Sequence, residues 1–172
     1  MSVTNVAPTA TFNAPASAFA GFAFTLSLTN ASDAASADVP GLTYAFDCGD
    51  GSGYGAFSSS STATCPTNAT GTRNVGGKVR DDDGGVTEYL GTVVVEVTYA
   101  SLCALVRSYV DDADVADSLC SKLAAAEAAA ARGNANGKRG SLAAFVKQVE
   151  AQSGKSMTAA EAATLAELAK AL

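Results

Sequence analysis

The sequence predicts a multidomain chain, an antiparallel β-sandwich over residues 1–97 followed by a small all-α antiparallel helical bundle over 98–172. Three observations predict it. The first hundred residues are rich in Gly, Ser, Thr, Phe and Val and hold all the prolines, whereas beyond Ala100 there is no proline and Ala, Leu, Lys and Glu take over. β-Branched and turn-forming residues suit strands, and Ala and Leu suit helices. The apolar repeat also changes, from every second residue to every third and fourth. Finally, the four cysteines divide evenly, Cys48 and Cys65 before the switch and Cys103 and Cys120 after it, with equal spacing.

The strands come first. Residues 22–28 read Phe-Ala-Phe-Thr-Leu-Ser-Leu, which places Phe22, Phe24, Leu26 and Leu28 on one face of a half-buried strand. Leu42, Tyr44, Phe46 and Cys48 repeat the alternation, and Val93, Val95 and Val97 make a third run. Turn-rich segments separate them: Thr29 to Asp33, Cys48 to Gly53, and Asp81 to Gly85. Short strands at this spacing with no helical period between them argue for a sandwich. Gly76-Gly77 interrupts the run from Val75 to Val79, which predicts a bulge or a place where another group packs closely.

The helices follow. Leu102, Cys103, Leu105, Val106, Tyr109 and Val110 recur at helical spacing. Asp111 to Asp114 break that helix and cap a second, which carries Leu119, Cys120, Leu123, Ala126 and Ala130 and stops at Gly133. A third holds Leu142, Phe145, Val146 and Val149 and ends at Gly154. Thr158 to Glu161 form a capping box opening a fourth helix with Ala162, Leu165, Leu168, Ala169 and Leu172 on one side. Four short amphipathic helices with short links pack as an antiparallel bundle.

Composition excludes several functions. The net charge is −6 and the largest basic cluster is Lys138-Arg139, so the chain lacks the basic face that nucleic-acid binding needs. No stretch approaches the ~20 apolar residues of a membrane span. Met1 to Thr4 do not open a signal peptide, while the remainder looks exported, so the chain reads as a piece of a longer secreted protein. With no His and no CxxC, a zinc site on the cysteines is excluded in favour of disulfides in an oxidising compartment. Three connectivities exist, with free core thiols as the alternative; Cys48–Cys65 and Cys103–Cys120 are preferred because neither crosses the domain boundary. The absence of His also removes the Ser-His-Asp and Cys-His schemes of nucleophilic catalysis.

Phe46-Asp47-Cys48-Gly49-Asp50-Gly51 resembles the WDFGDG motif of polycystic-kidney-disease (PKD) domains, with Phe for Trp and Cys for Phe. Asn5-Val6-Ala7-Pro8 is similar to that family's opening, and Gly71 to Val75 with Val79 to Gly85 are similar to its GTYTV…VTDDDGG segment. The resemblance implies an immunoglobulin-like sandwich for the first half. It also implies that Cys48 replaces a core aromatic, so that a bridge to Cys65 stands in for an aromatic contact. Some members bind calcium near the N-terminal end, which carries over to Asn5, Asp33 and Asp81; no other cofactor is implied. Asp47 with Asp50, or Asp81 to Asp83, would be the nominees for a glycosidase carboxylate pair. GDG and DDDGG runs are instead turn sequences, Asp bonding to nearby backbone and Gly taking positive φ. In the second half, Ala131 to Asn134, Phe145 to Val149 and Gln152 to Lys155 resemble the FIMAH-type helical module found at the C-terminal ends of large bacterial secreted and cell-surface proteins.

The expected function is therefore a non-catalytic extracellular module pair of a larger secreted bacterial protein. It would serve as a spacer or adhesive appendage that meets a protein or polysaccharide surface, with no membrane insertion. The alternative is a substrate-binding accessory region of an exported hydrolase acting on an insoluble polymer. That role favours a line of exposed aromatics, and here Trp is absent and aromatics are 7%.

Overall fold

The computed structural model describes residues 5–34 and 39–172. The expectation drawn from Met1 to Thr4, and the centre of the insertion between Asp33 and Gly41, lie outside the described residues.

The first half is a two-sheet sandwich. Its strands are β1 (Thr9–Asn13), β2 (Ser17–Phe19), β3 (Phe24–Ser32), β4 (Thr43–Asp47), β5 (Thr62–Cys65), β6 (Gly71–Arg80) and β7 (Val86–Glu96). One sheet runs β1-β3-β5 and the other β2-β7-β6-β4, with the β1-β3, β3-β5, β4-β6 and β6-β7 pairs antiparallel. Strict alternation along β3 turns Phe24, Leu26 and Leu28 inward against Val75, Val79 and Val93 of the facing sheet. Phe22, placed on this strand by its periodicity, stands in the preceding turn, where Gly21 takes a φ of +89° that L side chains rarely adopt. Val97 likewise falls past the end of β7.

Gly76-Gly77 is not a bulge. The β6-β7 register runs unbroken from Gly71↔Val95 to Arg80↔Val86. The two glycines face opposite sides, and each lies under an aromatic ring: a Cβ on Gly76 would overlap the Tyr54 hydroxyl, and one on Gly77 would stand 2.9 Å from the Phe12 ring and 3.2 Å from Leu28. Tyr54 sits in the loop after β4 and can swing away, whereas Phe12 and Leu28 are held between the sheets. Gly77→Ala is therefore expected to destabilise the sandwich by about 1–3 kcal/mol through overpacking. Gly76→Ala should be near neutral, because the strand gains from losing a glycine. Denaturant unfolding of both variants measures the difference, and equal costs would contradict this account.

The second half has α1 (Tyr99–Tyr109), α2 (Ala113–Ala131), α3 (Ala135–Gln152) and α4 (Ala159–Lys170). Each start is capped. Thr98 and Ser101 form a reciprocal box on α1, Asp112 accepts from the Asp114 and Val115 amides, Asn134 from Gly137, and Thr158 pairs with Glu161 on α4. Gly133 and Gly154 take φ of +67° and +72° just beyond α2 and α3. Leu102, Leu105, Leu119, Leu123, Phe145, Val149, Leu165 and Leu168 form the buried faces. On α2 the stripe runs through Ala126 and Ala129, and Ala130 is exposed.

The described residues divide into two compact units. One comprises the segment up to Ala18, Ala23–Thr67 and Gly71–Val95, and the other Phe19–Phe22, Asn68–Thr70 and Glu96–Leu172. Each contains one disulfide, Cys48–Cys65 or Cys103–Cys120.

Candidate functional site

The acidic turns of the sandwich hold Asp47, Asp50 and Asp81 to Asp83. After β4, the Asp47 carboxylate accepts the Gly49 amide at 2.8 Å and that of Asp50 accepts the Ser52 amide at 2.9 Å. Gly49, Gly51 and Gly53 all take positive φ, so this loop is a succession of side-chain-stabilised turns. The amide of Ser52 holds the Asp50 carboxyl below its ordinary range.

Asp81 differs from the solvated turn residue that a DDDGG run suggests. It is only 3% exposed. Its Oδ1 accepts the Gly85 amide at 2.7 Å, and its Oδ2 accepts the Asn5 side-chain amide at 3.1 Å. The backbone bond from the Asp81 amide to the Gly85 carbonyl, 3.1 Å, closes the turn. A buried carboxylate needs such partners, since leaving it unpaired would cost several kcal/mol. Asp82 and Asp83 remain exposed. Of the three calcium nominees, Asn5 and Asp81 are thus in direct contact, and Asp33 stands half-buried just past the end of β3. Among the described residues no group of three or more His, Cys, Asp or Glu gathers as metal ligands.

The outer face of the β2-β7-β6-β4 sheet is partly covered by the loop that follows β4. Tyr54 lies over Gly76 with the Lys78 ammonium 4.0 Å from its ring centroid, and Phe57 lies under the Arg80 guanidinium at 4.1 Å. Burial pushes the Tyr54 phenol well above its ordinary value. These aromatics were not legible as a unit in the sequence; the signal was the adjacent glycines Gly76 and Gly77, which make room for rings on both faces. Beyond the flap the sheet face is open along β7, where Val86, Leu90 and Val94 are 43%, 77% and 46% exposed.

In the helical half, an open groove of about 880 Å³ lies along α3 and the end of α4. Leu142 and Val146, assigned to the core stripe by periodicity, are only half-buried and line this groove; Phe145 and Val149 alone on that stripe are fully buried. Lys138, Arg139, Lys147 and Lys170 rim it, with Glu150 the one acidic side chain among its lining residues. A smaller groove of about 470 Å³ beside the Cys103–Cys120 bridge is crossed by the Arg107–Asp117 ion pair at 2.7 Å.

No family model matches the chain, and no curated protein matches it. Several solved structures are similar over about half of it. One is from a study of carbohydrate-binding modules of the β-sandwich superfamily, at 26% identity and a TM-score of 0.46, covering 54% of this chain and 36% of that one. The PKD1 domain of Vibrio anguillarum Epp is similar at 26% identity and a TM-score of 0.41, over 55% of this chain and 100% of the domain. The PKD1 domain from the Vibrio cholerae metalloprotease PrtV is similar at 24% identity and a TM-score of 0.40, over 54% of this chain and 100% of the domain.

Proposed function

We propose that this chain is a non-catalytic extracellular module pair of a larger secreted bacterial protein, a PKD-type sandwich joined to a FIMAH-type helical module, acting as a spacer that meets a protein or polysaccharide surface. The observation that carries the reading is the commitment of three of the five sandwich carboxylates nominated for catalysis, Asp82 and Asp83 being exposed turn residues. Asp47, Asp50 and Asp81 each accept backbone amides of their own turns. A bridge within each half suits an oxidising compartment, and no helix among the described residues is long and apolar enough to cross a membrane. Binding of the purified chain to a glycan array and to whole bacterial cells tests the reading. Absence of binding to both would leave only the spacer role. An accessory region that works on an insoluble polymer is the second reading. Tyr54 and Phe57 lie beneath cationic side chains rather than in an exposed row, which weighs against it.

Calcium at Asn5, Asp33 and Asp81 belongs to the same proposal. Oxygen ligands drawn from loops suit a hard cation, and binding would require Asn5 to present its carbonyl oxygen in place of the amide it now donates to Asp81. Titration calorimetry is expected to show calcium binding by the wild type and at least tenfold weaker binding by Asp81→Asn. Equal binding by both proteins would remove Asp81 from the site.

Separability of the halves completes the reading. Domains of this size fold alone when reinforced by a bridge. Residues 1–98 and 99–172, expressed separately, are each expected to give a cooperative melt by circular dichroism. A fragment that is unfolded alone and folds on adding the other would show a shared core.

A further inference from the structure

Two surface features in different halves remain unexplained by that reading, and they are complementary. The first is the outward face of β7. Val86, Leu90 and Val94 are exposed on it at every fourth residue, with polar side chains between them. Glu88, Thr92 and Glu96 alternate with them. Asp82 and Asp83 lie just before the strand, exposed. This strip belongs to the half that carries the charge imbalance: residues 1–98 hold Arg73, Lys78 and Arg80 as their only cations against nine carboxylates. Lys78 and Arg80 are engaged by the rings of Tyr54 and Phe57, and Lys78 pairs at 3.6 Å with Glu88. Neither Glu96 nor Asp82 nor Asp83 has an ion-pair partner among the described residues.

The second feature is the α3/α4 groove. The helical half is balanced in charge, with eight cationic and eight acidic residues after Thr98, yet four of those cations rim this one groove. Lys138 is held by the Leu172 carbonyl and Lys170 by Glu167. Arg139 and Lys147 form no ion pair among the described residues. The floor between them is apolar, formed by Leu142, Val146 and Ala169.

We propose that copies of this chain associate head to tail, the apolar–acidic strip of β7 on one copy seating in the apolar, basic-rimmed α3/α4 groove of the next. Lengths agree: Val86 to Val94 spans roughly 26 Å at strand rise, and Ala135 to Glu150 roughly 22 Å at helical rise. The apolar surfaces lose water on contact, and the carboxylates beside the strip meet Arg139 and Lys147 at the rim, where charge fixes register and orientation. Because the two patches differ, the contact is heterologous, and a pair of associated copies still has one free strip and one free groove through which further copies can add.

Sedimentation and light scattering of the full chain test this. The weight-average mass is expected to rise from the monomer value of 17.1 kDa to about twofold or more as concentration goes from micromolar to submillimolar at low salt, and to fall back in ~0.5 M salt as the rim charges are screened. Leu90→Asp and the double variant Arg139→Glu/Lys147→Glu alter exposed residues only, and circular dichroism verifies their folds. Each alone should remain monomeric. An equimolar mixture of the two should form a 1:1 complex and stop there, since each retains one intact patch. A wild type that stays monomeric throughout overturns the proposal. So does self-association that survives either variant, or a mixture that fails to pair.

Discussion

Replacing Cys48 and Cys65 together by alanine is expected to lower stability by about 4 kcal/mol, and replacing Cys103 and Cys120 by about 3 kcal/mol. Both bridges close loops of the same sequence separation, 17 residues, so the chain-entropy contribution is about 3 kcal/mol for each. They differ in their surroundings. Cys65 is fully buried in the sandwich core with Phe24, Leu26, Val75 and Val93, and Cys48 packs against the same cluster. Removing those sulfurs also leaves a void, worth about 1 kcal/mol more. Cys103 and Cys120 are half-buried at the margin of the helical core, and their loss exposes little. Calorimetry on the two double variants decides it. A helical-half variant that loses as much as the sandwich variant would show that burial of the sulfurs contributes nothing beyond the cross-link.

Phe145→Ala should cost about 3–5 kcal/mol, the range for emptying a fully buried aromatic site. Phe145 is 0% exposed and is the one aromatic on α3, on the flank next to the one that lines the groove. Leu142→Ala, one turn earlier and half-buried on that groove, should cost less than about 1.5 kcal/mol, since its side chain already meets water on one side. Thermal unfolding followed at 222 nm reports directly on the helical half. Similar costs for the two variants would mean that the groove is filled in solution and that Leu142 is part of the core.

These contrasts mark where a linear pattern stops being informative. Periodicity places Leu142, Phe145, Val146 and Val149 on one stripe of α3, and all four are apolar. Which pair is buried depends on how α2 and α4 pack on α3, and no local feature of the stripe encodes that. Phe22 fits the alternation of β3 equally well, but the chain turns at Gly21 before β3 begins. Gly76-Gly77 signalled close packing, without naming the rings that pack there: Tyr54 and Phe12 come from distant segments, one on each face. Asp81 shares its run with Asp82 and Asp83, and nothing local distinguishes it. It is buried because the turn brings Gly85 and the N-terminal Asn5 to its two oxygens.

By itself the sequence determined what depends on near neighbours. The switch of periodicity assigned strands and helices, the Asp112 and Thr158 caps and Gly133 and Gly154 set helix ends, and the GDG run made its turns, because each acts through backbone geometry within a few residues. Tertiary structure alone decided which apolar side chains are covered, which carboxylate is buried, and which patches, the β7 strip and the α3/α4 groove, stay open to solvent. Burial is a property of surfaces meeting across long sequence separations, so a pattern can name the residues able to form a core but not the ones left outside it.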